Sequence, residues 1–130
     1  MSETIFTKII RGEIPSCKVY EDDKVYAFLD INPEATGHTL VVPKVPVDKF
    51  YDIAEEDYDA VFRAAKLIAR KLDEVTGQRV LVKIIGTDVP HAHVHLIPLR
   101  DDYDVADPLI EKPTDEEFKE MARKIRDAEV

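Results

Sequence analysis

The sequence is poor in the residues that would commit it to several large classes of protein. Its 130 residues include one cysteine, Cys17, and no tryptophan. One thiol cannot close an intrachain disulfide, and without a neighbour it cannot supply a Cys-x-x-Cys half of a zinc site. The expected address is therefore cytoplasmic. No apolar run approaches the roughly 20 residues that span a bilayer, so no membrane segment is expected. The opening Met1-Ser2-Glu3-Thr4 has neither a basic nor an apolar stretch, and no secretory signal is expected. Positive charge is also short: 18 Lys and Arg against 27 Asp and Glu leave a formal charge of -9. That balance disfavours a nucleic acid polymer, whose binding needs a basic surface, but leaves room for a small phosphorylated ligand in a local pocket.

What remains, 45% apolar and 35% charged residues, describes a globular chain of one domain over residues 1–130. Apolar residues at Ile5, Phe6, Ile9 and Ile10 recur with helical spacing and stop at Gly12. Lys18 to Glu21 and Val25 to Leu29 read as two strands joined by the turn Asp22-Asp23-Lys24, and Asp30-Ile31-Asn32-Pro33 ends the second. Thr39 to Pro43 is a third strand, with His38 at its entry. From Glu55 to Thr76 the set Tyr58, Val61, Phe62, Ala65, Ile68, Ala69, Leu72 and Val75 advances by three or four and ends at Gly77, which predicts a long core-facing helix. Val80 to Ile85 is an apolar, β-branched run expected to pair antiparallel with the next strand at the centre of the sheet. After a linker that includes Glu111-Lys112-Pro113, Thr114-Asp115-Glu116-Glu117 forms a capping box for a last helix bearing Phe118, Met121, Ala122 and Ile125. The implied class is α+β: a mainly antiparallel sheet of about five strands, one long helix packed on it and a short N-terminal helix.

Three of the four histidines lie in Pro90-His91-Ala92-His93-Val94-His95-Leu96-Ile97-Pro98. As a strand, this stretch puts His91, His93 and His95 on one face and packs Ala92, Val94 and Leu96 behind them. A single strand histidine is ordinarily a satisfied structural residue. Three at a spacing of two bring six ring nitrogens that need partners, where Val or Ile would fill a core at less cost. Their charge and nucleophilicity can be tuned near neutral pH, so the stretch points to a site.

His91-Ala92-His93-Val94-His95-Leu96-Ile97 resembles the signature of the histidine triad (HIT) family of nucleotide hydrolases and transferases, closest to its Hint-like, adenosine phosphoramidase branch. Ile5 to Pro15, Tyr20 to Asp23, Phe28 to Pro33 and Gly37 to Lys44 resemble the family's earlier blocks, so the likeness covers roughly residues 4–99. The resemblance implies that His93 attacks the α-phosphorus of a nucleotide, that His95 holds the phosphoryl oxygens, and that His91 and His38 orient the nucleophile. It implies that Asp30 binds ribose, and that Ile5, Phe6, Ile9, Ile14, Phe28, Leu29 and Ile31 surround a purine, though each also has an ordinary core reading. The implied partner is a purine nucleotide conjugate of AMP or GMP, with no cofactor or metal, and the implied assembly is a homodimer through the 55–76 helix and the 80–85 strand.

The chain departs from the family before the triad. A Gly-Gln-Ser/Thr segment and an Asn-x-Gly loop are usual there, whereas this sequence runs Ile84-Ile85-Gly86-Thr87-Asp88-Val89-Pro90. Thr87 and the Asp88 backbone are expected near the phosphate, but an Asp88 carboxylate aimed at it would repel it. The sequence supports cleavage of nucleoside 5'-phosphoramidates through a nucleotidyl-histidine, and leaves three alternatives open: dinucleotide polyphosphate hydrolysis, a metal-dependent hydrolase and a non-catalytic nucleotide-binding protein. Against the metal stands the separation of His91 and His95, about 13 Å along a straight strand, although His38 could be a third ligand.

Overall fold

The computed structural model describes residues 3–99 and 112–130. Five strands, β1 (Lys18–Glu21), β2 (Val25–Leu29), β3 (Thr39–Pro43), β4 (Val80–Lys83) and β5 (Val94–Pro98), form one antiparallel sheet in the order β1-β2-β3-β5-β4. Most connections join neighbours, and the long detour between β3 and β4 carries α2 (Glu55–Thr76). Two further helices, α1 (Ile5–Ile10) and α3 (Asp115–Asp127), flank the sheet. Each opens on a threonine, Thr4 and Thr114, whose hydroxyl accepts the N–H of the third helical residue.

The two faces of the sheet bury different sets of residues because successive strand side chains alternate. Val25, Ala27, Leu29, Val41, Val94 and Leu96 face one way and pack on Val61, Ala64, Ala65, Ile68 and Leu72 of α2 and on Ala122 and Ile125 of α3. Tyr26, Phe28, Leu40 and Val42 face the other way, under Phe6 and Ile9 of α1. Truncating Ile68 or Leu72, both fully buried, to Ala would cost about 2–5 kcal/mol. Helix α2 turns out to use Ala64 where the periodicity put Tyr58, which is 39% exposed and stacks beside Phe62 at 4.8 Å. Small residues let the helix approach the sheet closely.

Two expectations are corrected. The pair β4–β5 is antiparallel, but β4 is an edge strand and the central strand is β3. The 80–85 run also leaves the sheet after Lys83, the last β4 residue paired with β5. Of the expected linker Glu111-Lys112-Pro113, Glu111 lies outside the described residues.

Candidate active site

The histidine stretch is a strand over only half its length. Residues 91–93 are irregular and β5 begins at Val94, so His91 and His93 stand in front of the strand and only His95 stands on it. Residues 91–98 are buried without exception. Val94 and Leu96 point into the α2 core, which turns His95 to the opposite face, across from Leu40 of β3 and Lys83 of β4. Backbone contacts hold the irregular part in place: the Ala92 N–H donates to the Val47 carbonyl at 2.7 Å and the His91 N–H to the Val89 carbonyl at 2.8 Å.

His38 arrives from the start of β3. Gly37 before it has φ +93°, a left-handed conformation, and a Cβ there would stand 3.2 Å from Leu72 Cδ2, so glycine lets the chain turn tightly against α2. The same turn returns the His38 carbonyl to the Asp30 N–H at 2.9 Å, which brings Asp30 alongside.

The partners of the four imidazoles assign their tautomers, because a carbonyl only accepts and a backbone N–H only donates. His91 Nε2–H donates to the Pro43 carbonyl at 2.8 Å, and the Thr4 hydroxyl donates to its Nδ1 at 3.0 Å. His93 Nδ1–H donates to the His91 carbonyl at 2.8 Å, which leaves the lone pair on His93 Nε2. The Glu34 N–H donates to His38 Nδ1 at 3.0 Å, so His38 Nε2–H donates to His95 Nδ1 at 2.9 Å. The proton of His95 is thereby placed on Nε2. His93 Nε2 and His95 Nε2 are both buried and lack a hydrogen-bond partner among the described residues. Their rings lie 4.9 Å apart, so a lone pair and an N–H face the same small space. Phe6 packs edge-on against His91 and His93, at 5.7 and 5.0 Å between centroids, and holds both rings.

Burial lowers the basicity of three of these histidines, His38, His91 and His95. It is the main cause that pulls His38 down to about 3, with the neighbouring His95 and the Lys83 ammonium adding to it. It likewise pulls His95 down to about 4, helped by His93 and Lys83 and opposed by Asp88 and Glu34. His91 is lowered by burial against the hydrogen bond to Pro43, and Asp30 is raised by burial despite the Asn32 N–H that it accepts at 2.9 Å.

The arrangement alters several expected roles. His91 reaches His93 through its backbone carbonyl, and its own ring nitrogens are taken by Thr4 and Pro43. His38 supports His95 and makes no hydrogen bond to His93. Asp30 lies 3.6 Å from His38 Nε2, and the exposed Ile31 (64%) beside it offers an apolar surface. Ile5 is 49% exposed and Ile14 half-buried, while Phe6, Ile9 and Phe28 are buried in the small core and Leu29 belongs to the core on the far face. Thr87 and Asp88 are exposed at the mouth, with Asp88 Oδ1 3.4 Å from His93 Nε2. Three residues were not singled out by sequence. Thr4 is foreshadowed by its place before the first helix, but the Lys83–Glu34 ion pair, at 2.8 Å, joins residues far apart in the chain with no local signal.

Among the described residues, two groups of side chains offer atoms close enough to share a cation: Asp30, His38 and His95, and Asp88, His93 and His95. In the first, the facing His38 and His95 nitrogens already share a proton. In the second, His95 would have to surrender its Nε2 proton, which the His38 hydrogen bond opposes.

A model of the HIT domain matches residues 11–102. The chain belongs to that family. Among HIT relatives, adenosine 5'-monophosphoramidase HNT1 of Saccharomyces cerevisiae is 45% identical over 100 residues, 75% of this chain but only 63% of the yeast protein's length. Purine nucleoside phosphoramidase of Escherichia coli is 40% identical over 102 residues, 73% of this chain and 86% of that protein. The crystal structure of a Hit-like protein involved in cell-cycle regulation from Bartonella henselae superimposes with a TM-score of 0.87 at 36% identity, covering 95% of this chain and 94% of that one. Among the described residues no helix is long and apolar enough to cross a membrane.

Proposed function

We propose that this HIT protein hydrolyses purine nucleoside 5'-phosphoramidates, conjugates of AMP or GMP, through a nucleotidyl intermediate on His93. The observation that carries this reading is the buried, unpartnered His93 Nε2, whose lone pair is fixed by the Nδ1–H donation to the His91 carbonyl. A neutral imidazole held in that tautomer is a competent nucleophile without prior deprotonation. His93 Nε2 bonds to the α-phosphorus as the bond to the leaving group breaks. His95 Nε2–H donates to a phosphoryl oxygen as negative charge grows there. Water then attacks the same phosphorus, the bond to His93 breaks, and the nucleotide is released. Relatives named as phosphoramidases, at 40 and 45% identity, support the substrate class. Asp30, with a partly buried carboxyl, is suited to ribose hydroxyls, and the exposed Ile31 and Ile5 to a base. Dinucleotide polyphosphates are the second substrate class that a lone pair facing an N–H donor would serve.

The test is turnover of a fluorogenic adenosine phosphoramidate, with enzyme quenched during the reaction and mapped by mass spectrometry. An acid-labile nucleotidyl adduct on His93, absent from His93→Ala together with turnover, is expected. An adduct on another histidine, or undiminished activity in His93→Ala, refutes the assignment.

We further infer that the protein works as a homodimer of one-domain chains in the cytoplasm. The edge position of β4, whose Val82 is 49% exposed, favours pairing across that edge near Leu67 of α2, 36% exposed. Light scattering is expected to give twice the 14.8 kDa of one chain, and a monomer mass at micromolar concentration would refute it.

A further inference from the structure

The space in front of the His93 lone pair faces a carboxylate. Asp88 Oδ1 stands 3.4 Å from His93 Nε2 without a hydrogen bond between them, on a side chain that is 57% exposed. When His93 is neutral, with its Nδ1 as the donor, both facing atoms carry lone pairs, an arrangement that a positive group beside them relieves. Among the described residues the carboxylate is tied only to its own turn, through the Val89 N–H at 3.1 Å. A phosphorus attacked by His93 must enter the space in front of Nε2, so Asp88 has to yield outward toward solvent. In an in-line displacement the leaving group departs away from the nucleophile, toward that same open side.

Among the described residues the opposite charge is not on offer. Lys83 is the lysine whose charge reaches both His38 and His95, and its ammonium is held by both oxygens of Glu34 at 2.8 and 3.0 Å. An anionic leaving group would thus meet a free carboxylate and a neutralised lysine.

We propose that Asp88 selects the charge of the leaving group, favouring amines, above all those that carry a second ammonium, and disfavouring phosphates. The assignment rests on the phosphoramidate reading above and chooses between it and the polyphosphate alternative. As His93 Nε2 bonds to phosphorus, the electron pair of the breaking P–N bond passes to nitrogen, which takes a proton from solvent and departs as an amine. The Asp88 carboxylate stabilises the positive charge that this nitrogen, and any ammonium beyond it, carries in the process. In a polyphosphate the electron pair passes to a bridging oxygen instead, which gains negative charge against the same carboxylate.

Three AMP conjugates differing only in the leaving group test this: the 5'-phosphoramidates of ethylenediamine and of n-propylamine, and diadenosine triphosphate. The kcat/KM of each is measured on single preparations of the full chain, of Asp88→Asn and of Asp88→Glu, so that any loss of folded enzyme cancels in the ratios. The unmodified protein is expected to prefer ethylenediamine over propylamine by up to about fivefold, the size of an exposed charge pair. Asp88→Asn is expected to erase that preference and to raise diadenosine triphosphate relative to propylamine by about as much, while Asp88→Glu keeps the original order. Turnover of all three conjugates with ratios unmoved by Asp88→Asn would overturn the leaving-group assignment alone. Failure to turn over any of them would overturn the proposed function and this assignment with it.

Discussion

The proton on His95 Nε2 is placed there from a distance, and His38 is the position at which that control can be broken. The Glu34 N–H makes His38 Nδ1 an acceptor, which makes His38 Nε2–H the donor to His95 Nδ1. His38→Asn leaves an amide near the old Nδ1 and nothing near Nε2, whereas His38→Gln can put an N–H near Nε2. With Asn, the buried His95 Nδ1 loses its donor at a cost of about 1–3 kcal/mol, and the His95 proton is no longer held toward the substrate. At 1.36 kcal/mol per tenfold, that is roughly a fivefold to 150-fold loss. It cannot exceed the loss of the whole donor, typically 100-fold to 1,000-fold. We therefore expect kcat of His38→Asn to fall about 10-fold to 100-fold with a smaller change in KM, because the donor acts chiefly on charge that develops in the transition state. His38→Gln should retain about tenfold more activity than His38→Asn. Steady-state kinetics with a phosphoramidate substrate, beside thermal melts to separate folding from chemistry, decide the matter. Equal losses in the two variants, or a fall below about threefold in His38→Asn, would refute the relay.

Thr4→Val removes a hydroxyl that caps α1 and donates to His91, so it should cost about 1 kcal/mol for the cap and about 1–3 for the unsatisfied His91 Nδ1. Denaturant unfolding should show a loss of about 2–4 kcal/mol, with Thr4→Ser losing under about 1; similar losses in both would show that the hydroxyl is not what matters. Stability should also fall in acid: His38, at about 3, and His95, at about 4, bind protons less readily folded than at their ordinary 6.5. The unfolded chain therefore binds more protons below pH 6.5, and stability drops from there toward pH 4 by up to about 1.4 kcal/mol per pH unit for each group. Asp30, raised by burial, works the other way near its own range. Unfolding followed from pH 7.5 to 4.5 tests the sign, and a flat or rising stability toward acid would contradict neutral burial of the pair.

Much of this molecule is written in local pattern. The 3.6-residue spacing of Val61, Ala65, Ile68 and Leu72, ended by Gly77 at φ +70°, marks α2 and its C-terminal end, and the Thr114 capping box marks where α3 starts. The hairpin β1–β2 and the strand β3 follow equally from alternation and turn residues, which act over a few neighbours. The triad itself is legible because three histidines at a spacing of two have no inexpensive structural use. What each imidazole does was decided only by the tertiary structure. Whether a ring nitrogen is a donor or a lone pair depends on its partner, and the partners are Thr4, the Pro43 carbonyl, the Glu34 N–H and the His91 carbonyl, the first two of them far away in the chain. The same holds for the placement of Leu29 behind the sheet and of β4 at its edge, since burial and strand order are properties of the assembled sheet. A periodicity shows which side chains share a face, but the hydrogen that makes His95 a donor is placed by His38, 57 residues away in the chain, and the ring of His91 is met by Thr4, 87 residues away.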